Sequence, residues 1–383
     1  MLRICYYITG HGFGHATRSS QVISALLSAS PTTHVTIIAT APKHLFPDSP
    51  RLTLIPYEVD SEIVQPQPYS IDPEASLSRL ATFLAKAETP EWQSKMDKIL
   101  DDTNCNLVVS DASYGVAWKG AKERGIKSVL ASNFSFDAIF EKLLTLLPEQ
   151  TTRTEREEKE ELINKVTKMY AEFDHVIRFP GHIPFPFVNR YWSAEQQKAN
   201  ISDAPLVYRP SRTSREEVLK GLGVPEEMMG CKVLLVQFGG LVLQKTGATS
   251  IPNLPEGWIC LFSEAVDDKR FFQFPKDVYA PDLVRAADMV LGKIGYGTVS
   301  ECVGMNTALV YVSRPQFEEE HGLVSYMQRM GICREIPVAA FESGEWASAI
   351  ESLHKYRETR TSSDIEEGSS QVAKMIEELA SGP

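Results

Sequence analysis

What this chain lacks narrows the field first. It has no Cys-x-x-Cys pair: its six cysteines, Cys5, Cys105, Cys231, Cys260, Cys302 and Cys333, stand singly. That argues against a disulfide framework and structural zinc, and for a reducing compartment. It has no excess of positive charge. Against 39 Lys and Arg stand 50 Asp and Glu, for a formal net charge of -11, so a nucleic-acid partner is not expected. It has no apolar run near transmembrane length. Met1 leads straight into the strand-like Arg3-Ile4-Cys5-Tyr6-Tyr7-Ile8, which leaves no room for a signal peptide. No short internal repeat is visible. The expectation is a cytoplasmic globular protein.

What is present is alternation. The 383 residues suffice for two domains, and short apolar runs take turns with helical patterns, as in β-α-β units around a parallel sheet. In the first half strands are predicted at 2–9, 34–39, 52–56, 107–110, 128–131 and 175–179, with helices at 15–28, 73–101, 114–124 and 136–146. A highly charged helix is predicted over 151–173, its mixed charges reading as a solvated face. The Pro-rich stretch 180–187 reads as an extended crossover. In the second half strands are predicted at 232–238, 258–262, 271–274, 289–291 and 308–312, with helices at 281–287, 299–304 and 323–330. A helix opening after Thr213 carries Glu216 at capping-box spacing. The expected division is 1–190, a linker over 191–211, 212–365, and an amphipathic tail over 366–383 that packs back on the first domain.

The most informative stretch is Leu291 to Glu301, L-G-K-I-G-Y-G-T-V-S-E. Gly292, Gly295 and Gly297 are placed in a strand-to-helix turn, where backbone approaches an anion and the first helical amides attract it. Lys293 adds a charge and Thr298 a hydroxyl, both suited to phosphate oxygens. Glu301, one helical turn after Thr298, is placed to accept the hydroxyls of a ribose. The ligand class that follows is a nucleoside diphosphate.

The first predicted strand ends in Thr9-Gly10-His11-Gly12-Phe13-Gly14-His15-Ala16-Thr17-Arg18. This is not a dinucleotide fingerprint, because His15 breaks the G-x-G-x-x-G spacing. His15 opens a helix, where the dipole keeps an imidazole neutral and able to accept a proton; a turn-capping role is the alternative. Asp111 closes the strand Leu107-Val108-Val109-Ser110, so it ends on the same sheet edge as His15 and can orient the ring. The alternative there is a helix cap. Phe134, Ser135, Phe136 and Asp137 follow the next strand and either line an acceptor pocket or serve as core. Gly239-Gly240 reads as a second ligand-facing turn, and Glu320, in Glu318-Glu319-Glu320-His321, as a sugar-hydroxyl ligand or plain loop solvation.

Taken together, G-H-G-F-G-H-A-T-R, V-V-S-D, S-N-F-S-F-D and L-G-K-I-G-Y-G-T-V-S-E, in this order, resemble the glycosyltransferase-like N-terminal region of plant-type arabinokinases. Leu206-Val207-Tyr208-Arg209 and Arg314-Pro315-Gln316-Phe317-Glu318-Glu319 carry the resemblance further. A sugar-kinase domain follows in that family and not in this sequence, so kinase activity is not among the expectations. More distantly the chain resembles plant UDP-sugar transferases and the bacterial lipid-linked GlcNAc transferase. The fold implied is GT-B, two Rossmann-like domains facing each other across a cleft. The activity implied is inverting, metal-independent transfer of a sugar from a UDP-sugar to a hydroxyl acceptor, with no cofactor and no metal ligands. The resemblance makes His15 the base and Asp111 its partner. On the donor side it implies Lys293 where the family has a phosphate-binding His, Thr298 for its Ser, and Glu301 for its ribose-binding Glu. Gly12, Gly14, Gly239, Gly240, Gly295, Gly297 and Glu320 complete the expected donor set, and His11 joins residues 134–137 on the acceptor side. Glu320-His321 stands where the family has an Asp/Glu-Gln pair, which leaves the sugar open. Two rival functions share the fold: a nucleotide-sugar sensor without turnover, and a UDP-sugar 2-epimerase-like enzyme.

Overall fold

The predicted alternation folds as two stacks of β-α units, seen here in a computed structural model that describes residues 1–67, 70–114, 117–238, 251–358 and 365–382. The chain divides into two compact units. The first holds Met1–Val207, Gln316–Gly322 and Gly368–Pro383; the second holds Tyr208–Pro315 and Leu323–Glu367.

The first unit begins with β1 (Arg3–Ile8), α1 (Phe13–Ala29), β2 (His34–Ala39), β3 (Leu52–Pro56), α2 (Pro73–Ala87) and α3 (Pro90–Thr103). It continues with β4 (Leu107–Asp111), α4 (Ala117–Glu123), β5 (Lys127–Ser132), α5 (Phe136–Thr145), α6 (Arg153–Ala171), β6 (His175–Arg178), α7 (Pro186–Tyr191), α8 (Ala194–Asn200) and β7 (Ile201–Asp203). Among the described residues its strands form one parallel sheet in the order β3-β2-β1-β4-β5-β6-β7. Ile8 of β1 lies opposite Asp111 of β4, so the two strands deliver their carboxyl ends side by side.

Local chemistry explains most departures from the sequence reading. The helix predicted over 73–101 is two helices, because Thr89 caps the Trp92 amide and Pro90 opens a new first turn. The cap of the helix after 212 is Ser214 with Glu217, not Thr213 with Glu216; the Thr213 amide instead donates to Asp282 at 3.2 Å. The predicted crossover contains α7, opened by Pro186, and its Phe185 and Phe187 are buried in the aromatic core with Tyr114, Phe136 and Tyr170. The stretch read as a linker over 191–211 holds α8 and the short edge strand β7, and the first unit runs to Val207.

The second unit runs through α9 (Arg215–Gly221), β8 (Lys232–Gln237), β9 (Trp258–Phe262), β10 (Phe271–Gln273), α10 (Ala280–Ala286), β11 (Met289–Lys293), α11 (Tyr296–Gly304) and β12 (Ala308–Val312). Then come α12 (Glu318–Met330), whose first residues belong to the first unit, β13 (Cys333–Ile336), α13 (Val338–Glu342) and α14 (Ala347–Glu358). Among the described residues its parallel sheet has the order β10-β9-β8-β11-β12-β13, the same reversal as in the first unit. Val236, Leu291, Val310, Phe341 and Trp346 sit in its core. The last helix, α15 (Ser369–Ser381), returns to the first unit and packs on α1, burying Val372, Ala373 and Ile376. Among the described residues no helix is long and apolar enough to cross a membrane.

Candidate active site

In a doubly wound sheet, ligands gather where the strand order reverses, outside the carboxyl ends of the two central strands. In the first unit that point lies between β1 and β4. Gly12, in left-handed backbone with φ of 78°, turns the chain from β1 into α1 without a side-chain cap. Among the described residues no side chain caps the first amides of the helix, which carries His15 in its first turn. Asp111 ends β4 with no exposure at all, and Ala112 follows at φ of 61°, a strained conformation for alanine. The Tyr170 hydroxyl donates to the Ala112 carbonyl and holds that bend.

The two site residues meet. Asp111 Oδ1 is 2.8 Å from His15 Nδ1. The carboxylate also takes Arg18 Nε at 3.0 Å and the Ser19 hydroxyl at 2.8 Å on Oδ2, and Arg18 Nη2 on Oδ1. Burial pushes this carboxyl up, but the Arg18 charge, together with the hydrogen bonds from His15 and Arg18, outweighs it and holds Asp111 down at about 2. A carboxylate so held can only accept, so the His15 proton lies on Nδ1. Nε2 is left with a lone pair, and among the described residues it has no hydrogen-bond partner.

The expected acceptor residues lie behind this pair. The edge of the Phe134 ring meets His15 with centroids 5.2 Å apart, and Phe136 meets His11 at 6.1 Å. Both phenylalanines are buried and act as a floor for the two imidazoles. Ser135 and Asp137 are fully buried too. Asp137 accepts from the Ser135 hydroxyl and from the amides of Ala138 and Phe187, and burial raises its carboxyl to about 7. These contacts tie α5 to α7. His11 is only half-buried, and its Nε2 lies 3.0 Å from Gln65 Nε2.

The equivalent reversal in the second unit lies between β8 and β11. Gly239 and Gly240, expected after β8, lie outside the described residues. Gly292 is a strand residue and not part of the turn: a methyl group there would collide with the Gln237 carbonyl oxygen of β8. Lys293 ends β11, Gly295 caps α11 with no side-chain partner, and Gly297 and Thr298 fall in the first helical turn. Arg314, buried after β12, donates to the Ile294 carbonyl and supports the turn from below. Glu301 is buried on α11. Its Oε1 accepts from Arg209 Nε at 2.7 Å, while among the described residues Oε2 has no hydrogen-bond partner. Burial raises this carboxyl above its ordinary range, with Arg209 pulling the other way.

Glu320 is buried in the first turn of α12, and its neighbour Glu319 accepts from Asn133 Nδ2 at 2.9 Å. The polar partners that sequence reasoning left unassigned are Arg18, Ser19, Asn133, Arg209, Arg314 and Glu319. Arg18 had a legible signal: it stands three residues after His15, on the same helix face. Among the described residues no group of three or more His, Cys, Asp or Glu is gathered as a metal site requires.

No known protein-family profile matches the chain. It is 32% identical over 360 residues to the L-arabinokinase of Arabidopsis thaliana, which covers 91% of this chain and 32% of that protein. The chain therefore spans about a third of its curated relative. Among solved structures it is similar to CalG4, the calicheamicin glycosyltransferase, with a TM-score of 0.62 and 15% identity over the whole of both chains. A UDP-glucosyltransferase from Polygonum tinctorium that glucosylates indoxyl gives 0.60 at 15% identity, covering 100% of this chain and 99% of that one. Medicago truncatula UGT71G1, complexed with UDP-glucose, gives 0.54 at 12%, covering 99% and 98%. At such identities the likeness shows the fold, and that fold is GT-B.

Proposed function

We propose that the chain transfers a sugar from a UDP-sugar to a hydroxyl acceptor, with inversion and without a metal ion. The observation that carries this reading is the His15 Nδ1–Asp111 Oδ1 contact at 2.8 Å, which, because the carboxylate can only accept, puts the ring proton on Nδ1 and leaves Nε2 to accept. The acceptor oxygen attacks the anomeric carbon as the bond from that carbon to the diphosphate breaks, and the acceptor proton passes to His15 Nε2. Asp111 accepts from the resulting imidazolium. UDP leaves against the uncapped first amides of α11 and Lys293, which supply the stabilisation a metal ion would otherwise provide. The unpartnered Oε2 of Glu301 accepts from a ribose hydroxyl. Fold relatives that are UDP-glucosyltransferases, or that were solved with UDP-glucose, support a UDP-sugar as the donor class.

A second reading, binding without turnover, has one observation in its favour. Arg18 already neutralises Asp111, so an imidazolium would add a positive charge to a buried cluster that is neutral without it. The experiment is a nucleotide panel followed by turnover. UDP and UDP-sugars are expected to raise the melting temperature where adenine nucleotides do not. His15→Ala should lower transfer by roughly 10²–10⁴-fold and leave UDP affinity unchanged. Product of the opposite anomeric configuration, formed equally well in a metal chelator, supports the mechanism; retention overturns it. UDP-sugar bound and never consumed by the wild type means the second reading is correct.

A further inference from the structure

Arg18 is a charged residue with 3% exposure, and every part of its guanidinium is held. Nε and Nη2 grip the two oxygens of Asp111 as a fork. Nη1 donates to Asn133 Oδ1 at 2.7 Å, and the Asn133 amide, so oriented, donates on to Glu319. The ring of Phe179 lies 4.5 Å from the guanidinium carbon. Nη2 also stands 3.2 Å from His15 Nδ1. Two donors cannot share a hydrogen bond, so this nitrogen's partner is the carboxylate at 2.8 Å.

We infer that Arg18 is a positioning residue for the candidate base: by pinning Asp111 as an acceptor-only carboxylate it commits the His15 proton to Nδ1 and keeps Nε2 free to accept. The argument runs through what its loss would do. A carboxyl with no exposure and no cation beside it takes a proton from solvent. Its O–H then donates to Nδ1, and the ring's own proton moves to Nε2, where an N–H cannot accept anything. The base is then removed with its side chain intact. Lysine restores the charge but not the two-pronged grip. The kinetic consequence rests on the transferase reading of His15; the tautomer consequence does not.

The test is a long-range ¹H–¹⁵N correlation spectrum of the histidine rings in the ligand-free full chain. Wild type is expected to show His15 protonated on Nδ1. In Arg18→Gln the Nε2-protonated form should predominate, and kcat should fall by roughly 10²–10⁴-fold, as for other bases put in the wrong tautomer, with KM changed less than about threefold. Arg18→Lys should fall between the two. If Arg18→Gln does not fold, Asn133→Ala takes its place. It removes one acceptor of the guanidinium and leaves the ion pair, and it should raise the share of the Nε2-protonated form above wild type. An unchanged Nδ1-protonated spectrum in Arg18→Gln, or in Asn133→Ala where that stands in, overturns the inference. A tautomer that shifts in a protein that never transfers sugar sustains the inference and sinks the transferase reading. The reverse pattern does the opposite.

Discussion

The same strand reversal occurs in both units, and each places a buried carboxylate beside it, yet the two carboxylates are finished differently. Asp111 is saturated: a histidine, an arginine fork and a serine all donate to it. Among the described residues Glu301 is half satisfied, with Arg209 on one oxygen and nothing on the other. A saturated carboxylate holds its neighbours still, which suits the orientation of a catalytic ring. A half-satisfied one bears a desolvation cost that a ligand hydroxyl can relieve. Topology chose the positions, and hydrogen-bond completeness sets the roles.

The largest expected effect tests the saturated side. Asp111→Ala leaves Arg18 buried without its counter-ion, and removing one partner of such a pair costs on the order of 3–5 kcal/mol. Denaturant unfolding should show that loss. Glu301→Ala leaves only the partly exposed Arg209 behind and should lose far less. Equal losses would erase the distinction.

Next in size is the ligand test of the unsaturated side. Glu301→Ala should weaken UDP by about 1.5–3 kcal/mol, or roughly 10–150-fold in Kd, because a charge-assisted hydrogen bond is lost. Free pyrophosphate, which has no ribose, should bind as before. Calorimetry with both ligands decides it; parallel losses would make Glu301 a structural residue only.

The two carboxylates should also respond to pH with opposite sign. Asp111 is held at about 2 in the folded chain against an ordinary 3.8. Its contribution is therefore present above pH 3.8 and lost as pH falls through 2, amounting to about 2 kcal/mol by linkage. Glu301 is raised above its ordinary 4.5, so ionising it costs stability as pH rises beyond that value. Accordingly Glu301→Gln should raise the melting temperature at pH 8 relative to wild type and do so less at pH 4. Asp111→Asn should lower it at pH 7, with the gap closing toward pH 2. Melting curves across that range check both slopes.

How much of this was legible without coordinates follows from the range of each signal. The alternation of strands and helices is local, and it located every strand of the two sheets but the edge strands β7 and β13, along with the strand end at Asp111; it stopped β11 two residues short of Lys293. The His15–Asp111 pairing needed one further step, that adjacent strands end at one edge. Arg18 escaped notice because a charged helical residue usually reads as solvated; Asp111 and Asn133, 93 and 115 residues away, hold it buried. The capping box slipped by one residue because Thr213-Glu216 and Ser214-Glu217 fit the pattern equally, and a long-range contact of Asp282 with the Thr213 amide decides between them. Glu318 to Glu320 read as a loop ahead of a helix at 323. They are instead the first turn of α12, where acidic side chains suit the positive dipole end.

The smallest effect separates two glycines of one stretch. Both Gly292 and Gly295 read as turn residues made small for a phosphate, but the structure gives them different reasons. Gly292 lies in β11 against the Gln237 carbonyl, so Gly292→Ala must push two central strands apart and should cost roughly 1–3 kcal/mol of stability, as overpacking does. Gly295 has extended backbone, with φ of -157°, and open space around the position of an added methyl. Gly295→Ala should therefore change stability by less than about 1 kcal/mol, the difference between glycine and alanine at a helix start. The same methyl stands at the mouth of the uncapped amides, so it should weaken UDP and pyrophosphate alike, by about tenfold or 1.4 kcal/mol each. That pattern differs from Glu301→Ala, which spares pyrophosphate. If Gly295→Ala leaves both affinities untouched, the start of α11 does not hold the diphosphate, and the donor reading keeps only its ribose half.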